Sequence, residues 1–243
     1  MTDGTERSRV LPKSHIWNLA VSVKEPQFLV AGGNSGYLTY MNLNSSKLVE
    51  LSSTNKSKAD VCSVGISDDA KWVAAGGSDG RITIWETSTN RMIHQTPILA
   101  NEEPCYVRSL TFYADNSFLA IGIANGFVYE ISTATWKEKQ IGQFDSSIAS
   151  LAISHDSRLV GIGLWDGTIS IWNRPDKKKS AQMIDTVHPD AIIGSLIFDP
   201  KGEKVFSGSV DATFRCWELQ TSKLLLRIAL EYPKSSVTNH NKD

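Results

Sequence analysis

No run in the sequence approaches the roughly 18 uninterrupted apolar residues of a membrane-spanning helix. An excess of one charge is lacking too: 25 Lys and Arg face 26 Asp and Glu, for a net charge of −1. That balance argues against a general binder of nucleic acid or acidic membrane surfaces, which needs clustered basic residues. Cysteine is scarce, and Cys62, Cys105 and Cys216 form neither a CxxC pair nor an even framework, as expected of a reducing compartment. The opening MTDGTERSRV is polar and carries no apolar stretch of a secretory signal. His15, His94, His155, His188 and His240 are scattered, without metal-ligand spacing to Cys or to one another. No P-loop, H-E-x-x-H or G-x-S-x-G motif occurs, and GIGLWDG (161–167) lacks the spacing of a dinucleotide loop and leads into another strand. These absences predict a soluble intracellular protein of the cytoplasm or nucleus. It should hold no metal or cofactor, have no catalytic residues, and make no direct contact with nucleic acid or membrane.

What the chain does contain is a repeat. With 41% hydrophobic residues over 243 positions it has ample material for a core, and that material recurs five times. Each unit opens on a short apolar segment: HIWNLAVS, VCSVGIS, VRSLTFY, IASLAIS, IGSLIFD. A polar column runs through these segments, Asn18, Ser63, Ser109, Ser150 and Ser195, at spacings of 45, 46, 41 and 45 residues. An aliphatic column follows it: Leu19, Val64, Leu110, Leu151 and Leu196. The second segment carries glycine in every unit, at Gly32, Gly76, Gly122, Gly163 and Gly208. Four residues later stand NSG36, SDG80, ANG126, WDG167 and VDA212, most of them signals for a tight hairpin. A third alternating segment follows, and the linkers leave room for a fourth. Four strands per unit of about 45 residues is the blade of a β-propeller.

The residues Asp79-Gly80…Ile84-Trp85, Asp166-Gly167…Ile171-Trp172 and Asp211-Ala212…Cys216-Trp217 resemble the blade-ending signature of the WD-repeat family. Met41 and Ile131 replace the tryptophan in the first and third units. The resemblance implies an all-β WD-type propeller of five four-stranded antiparallel blades, at about 14–57, 58–103, 104–144, 145–188 and 189–230. Residues 1–13 would be an extension, a candidate outer strand, and 231–243 a flexible tail. The family most often has seven blades, so the expectation includes an incomplete or open ring, completed by a partner or a second copy, or else a shortened product of a longer gene. Family members often carry a hydrogen-bonded His, Ser/Thr, Asp and Trp set. Here it maps onto His188, Ser207, Asp211 and Trp217 as a structural network.

Function on a propeller usually resides on a face, where the hairpins joining second and third strands meet the connections between blades. Immediately before the polar column stand Trp17, Cys62, Arg108, Ala149 and Gly194. Trp165 is the one large aromatic at its hairpin position, and Trp and Arg are enriched among interface hot spots. The candidate protein-binding patch is therefore Trp17, Glu103, Tyr106, Arg108 and Trp165. The plainer reading packs Trp17 against a neighbouring blade and lays Trp165 over a hairpin. Glu130 is anomalous in a column of Tyr40, Ile84, Ile171 and Cys216. A register slip, a paired structural carboxylate and a functional acid are the three readings of it. The leading function is a non-catalytic scaffold or adaptor in an intracellular multiprotein complex. The alternative is a reader of a short charged or modified peptide segment. A channel enzyme is a distant third, because the inward columns supply mainly Ser, Leu and Gly.

Overall fold

Alternating apolar residues and Asn/Asp-Gly turns give antiparallel strands throughout. A computed structural model describes residues 15–22, 24, 27–45, 47–51, 59–97, 99–100, 103–174, 182–184, 188 and 191–230. The expected extension 1–13 and tail 231–243 lie outside the described residues, as does the side chain of Glu103. The first sheet comprises β1 (Ile16–Val21), β2 (Phe28–Gly33), β3 (Leu38–Asn42) and β4 (Lys47–Glu50). The second is β5 (Val61–Ile66), β6 (Trp72–Gly77), β7 (Arg81–Glu86) and β8 (Arg91–Pro97). A short ribbon, β9 (Leu99–Ala100) and β10 (Glu103–Pro104), leads to the third: β11 (Val107–Phe112), β12 (Phe118–Ile123), β13 (Phe127–Ser132) and β14 (Glu138–Gln143). The fourth is β15 (Ile148–Ile153), β16 (Leu159–Leu164), β17 (Ile169–Asn173) and β18 (Gln182–Ile184). The fifth is β19 (Ile193–Phe198), β20 (Lys204–Ser209), β21 (Thr213–Glu218) and β22 (Lys223–Ala229). Each of the five is a four-stranded meander in sequence order.

The sheets stack as blades. Inner strands β1, β5, β11, β15 and β19 pack in succession around a cavity of about 400 Å³ that the polar column lines. The core is four layers, one per junction between blades, rather than a single mass. Val30, Val61 and Trp85 belong to the first, Ile82, Val107 and Leu119 to the second. Val128, Ile148 and Ile162 belong to the third, Ile169, Ile193 and Trp217 to the fourth. The glycine column is explained by these junctions. A Cβ at Gly32 would stand 2.5 Å from Val61 Cγ1 of the next blade, and one at Gly163 would stand 2.7 Å from Ile193 Cγ2.

Every inner strand carries the same irregularity. Ile16 and Asn18 pair with the adjacent residues Gly33 and Gly32, leaving Trp17 as an extra, unpaired residue. Identical shifts leave out Cys62, Arg108, Ala149 and Gly194. These are β-bulges, which re-aim the side chain they release. The hairpins lie beside them: Ser78, Ala124, Trp165 and Val210 donate their backbone N–H to the carbonyls of Asp60, Tyr106, Ser147 and Ile192.

Four hairpins place glycine at positive φ: Gly36, Gly80, Gly126 and Gly167. The fifth forces Ala212 to φ 60, where a Cβ is disfavoured. Ala212→Gly is therefore expected to raise stability by about 0.5–1 kcal/mol. An unchanged or lowered urea midpoint would contradict this.

Candidate functional site

The bulge and the hairpin together assemble a cation between two aromatic rings. The bulge in β11 releases Arg108, and its guanidinium lies 5.0 Å from the Trp165 ring and 5.3 Å from that of Tyr106. Trp165 opens the β16–β17 hairpin of the next blade, so the stack spans blades three and four. Arg108 Nε is buried and has no hydrogen-bond partner. A partly buried cation on aromatic faces gains about 0.5–2 kcal/mol. Tyr106 remains 50% and Trp165 41% exposed, so half of each ring is open to a partner. The bulge residue of the preceding blade is Cys62, whose thiol pKa is pushed up chiefly by burial, with Arg108 opposing.

Trp17 stands apart from this stack, on blade one. It is 63% exposed, and its indole N–H donates to Asn34 of the hairpin in its own blade. Glu103 pairs through its backbone with Ala100. Of the five expected residues, three are thus drawn together.

On the opposite side of the disc, between blades three and four, a cavity of about 470 Å³ is lined by Tyr113, Glu130, Trp172 and Arg174 among others. Glu130 is in register, pairing with Ala120 as Ile84 pairs with Ala74, so no slip accounts for it. It is a paired carboxylate. The buried Tyr113 hydroxyl donates to its Oε1 at 2.5 Å, and Arg174 Nε lies 3.7 Å away. The Arg174 guanidinium also covers the Tyr113 and Phe118 rings at 4.2 and 4.3 Å and approaches Asp115 at 3.5 Å. Burial, then the nearby Glu130 charge, drives the Tyr113 pKa far up. Sequence reasoning missed Arg174. Its signal was a column: Thr87 and Thr133, the corresponding residues, use their hydroxyls on the carbonyls of Ala70 and Asn116, where Arg174 brings a charge.

The network in blade five is tightly bonded. Fully buried His188 places Nδ1 2.8 Å from Asp211 Oδ2 and Nε2 3.0 Å from Ser207 Oγ, and Thr213 Oγ1 lies 3.1 Å from Nδ1. Arg215 completes it at 3.2 Å from Asp211. Trp217 is a correction to the expected set. Its indole N–H is buried without a partner, and the ring packs in the apolar fourth layer. Thr213 and Arg215 take its place.

Burial is the largest influence on His188 and holds its pKa below 6.5, with Asp211 opposing. For Asp211, burial works upward, but bonds from His188 and Thr213 outweigh it and hold the pKa at about 2 against 3.8. Both pKa values are depressed by folding, so the unfolded chain binds the extra protons. Stability should fall as pH drops below 6.5, and again from 3.8 towards 2. Urea midpoints across pH check this, and His188→Gln should flatten the upper step and shrink the lower, because Asp211 loses the imidazole that helps hold its pKa down. A flat profile through the upper window in the unsubstituted protein would refute the assignment.

Among the described residues no cluster of three His, Cys, Asp or Glu could hold a metal ion, and no helix is long and apolar enough to cross a membrane.

Comparison with known proteins agrees with this architecture. The family description "WD domain, G-beta repeat" matches residues 48–86, 136–173 and 181–218. Each match ends with the third strand of a blade, at Glu86, Asn173 or Glu218. The chain is 31% identical to the nuclear distribution protein nudF of Aspergillus terreus over 66% of its own length and 30% of that protein's. It is 26% identical to protein groucho of Drosophila melanogaster over 68% of its length and 23% of groucho's. It spans under a third of either relative. WD repeat-containing protein SL1-17 of Schistosoma mansoni is 24% identical over 84% of this chain and 65% of that one. Among solved structures, a chain in the crystal structure of a mitotic checkpoint complex superposes with a TM-score of 0.74. The match covers 86% of this chain and 64% of that one at 18% identity.

Proposed function

The chain belongs to the WD-repeat family, and from that premise we propose that it is a non-catalytic scaffold. It would present the bulge-and-hairpin face to other proteins in an intracellular assembly. The observation that carries this reading is Arg108, held partly buried between Tyr106 and Trp165 on two adjoining blades. Such a rigid aromatic and cationic anchor, half exposed, is what interface hot spots consist of. The solved chain it superposes on is itself part of a checkpoint complex, which supports the reading. Three free thiols suit a reducing cytoplasm or nucleus. Trp17 and Glu103 would extend the face beyond the stack, and the flanks of the blade array offer a second surface for a partner or another copy.

Affinity purification from the native cell, followed by mass spectrometry, tests this with two variants. Arg108→Ala/Trp165→Ala should lose the partners, and Lys201→Ala, in the β19–β20 turn on the other side, should keep them. With a partner in hand, Trp165→Ala alone should weaken binding about 30-fold, equivalent to about 2 kcal/mol, without unfolding the protein. Capture of a folded subunit supports the scaffold. Retention of a single short peptide from a library would favour the peptide reader instead. Unchanged capture by the double variant would refute the face.

A further inference from the structure

The cavity of about 470 Å³ between blades three and four has a counterpart one junction earlier, and there the space is filled. Between blades two and three the filling group is Trp136, carried on the turn from β13 to β14. Its ring meets Trp72 edge-on at 5.5 Å and stacks on His94 at 6.0 Å. One blade on, the corresponding residues are Phe118 and Lys139. Phe118 opens its second strand as Trp72 does, and Lys139 pairs with Glu130 as His94 pairs with Ile84. Both line the cavity. The stretch joining β17 to β18, RPDKKKSA (174–181), contains no aromatic residue that could repeat the part of Trp136.

Charge and hydrogen bonding narrow the occupant. Arg174 and Lys139 bring two cations, and Glu130 and Asp115 bring two carboxylates, so the surroundings are balanced and call for a neutral group. Arg174 is fully engaged, reaching Asp115, Ser117 and Glu130. Glu130 is not. Its Oε1 takes the Tyr113 hydroxyl, while its Oε2 accepts no bond among the described residues, and 13% of the side chain is still exposed beside the cavity. Trp172, stacked on Phe144 at 5.2 Å, adds an aromatic wall. A neutral ring with a single N–H donor meets each of these conditions, and an indole is such a ring. Lys139 and Ile141 reach the cavity from β14, the outermost strand of its blade. The free edge of such a strand can pair with an extended segment.

We infer that this cavity receives a tryptophan from a partner protein, on an extended segment laid along β14, with the indole N–H donating to Glu130 Oε2. The site lies apart from the Arg108 face and does not depend on it.

Fluorine NMR tests this on the full chain. The probe is the capped pentapeptide Val-Thr-Trp-Thr-Val with a fluorinated indole, a label the protein's own seven tryptophans do not carry. It should bind saturably. The same peptide methylated at the indole nitrogen should bind about tenfold more weakly or worse, as expected on losing a hydrogen bond to a charged acceptor. Fluoroindole alone should bind more weakly than the peptide, because it cannot pair with β14. Ile141→Trp, which supplies an indole from the cavity's own wall, should not bind the peptide. Arg108→Ala/Trp165→Ala should bind it undiminished, so this site and the partner face fail separately. Absence of saturable binding, or equal affinity for the methylated peptide, would overturn the inference. So would a peptide that binds no tighter than fluoroindole, or full binding by Ile141→Trp.

Discussion

Replacing His188 with alanine is expected to cost about 3 kcal/mol of stability and to lower Tm by roughly 6–12 °C. The side chain is fully buried and bonded at both ring nitrogens. Its loss strands the buried Ser207 hydroxyl and leaves Asp211 to Arg215 and Thr213. An unpartnered buried hydroxyl costs about 1–3 kcal/mol by itself, and the vacated ring volume adds to it. His188→Gln, which restores one polar contact, should fall between the two. Thermal unfolding by circular dichroism reads the effect. A fall no larger than that of the surface control Lys201→Ala would show that the network contributes nothing.

Arg174→Ala should be comparably damaging, at about 3 kcal/mol, for a different reason. Glu130, partly buried, would be left with the Tyr113 hydroxyl and its cross-strand neighbour Lys139, and removing one side of such a pair leaves the other poorly compensated. The guanidinium's cover over Tyr113 and Phe118 would go as well. The cure should be apolar. Adding Glu130→Ile, the residue its column holds at Ile84 and Ile171, together with Tyr113→Phe should restore stability to within about 1 kcal/mol. If Arg174→Ala is neutral in chemical denaturation, the ion pair is incidental. If the apolar repair fails, the site's polarity is serving something other than packing.

Fold and strand order were legible because every unit repeats the same columns: a glycine that must admit the next blade and an aliphatic that fills it. Polar serines at 63 and 150 read simply as a column, yet each spends its hydroxyl on the carbonyl of the following blade. The bulges were invisible, since a strand with one extra residue keeps an ordinary apolar pattern, and only backbone pairing shows that Arg108 is released from it. Tyr106, Arg108 and Trp165 could be chosen by residue type, but their meeting depends on a contact between blades that no local pattern encodes. Arg174 was missed because its partners, Tyr113 and Glu130, come from the preceding blade. Trp217 was misassigned because its place in the set came from the resemblance alone, whereas its ring packs in the apolar fourth layer with the indole N–H unpartnered.

The bulged position deserves a last consequence. In the five blades it holds Trp, Cys, Arg, Ala and Gly, spanning nearly the whole range of side-chain size and polarity on one backbone geometry. Because the bulge removes this residue from strand pairing, the fold does not dictate its chemistry. The propeller thus carries five substitutable letters on one rim, and rewriting them would change what the disc recognises while leaving its junctions as they are.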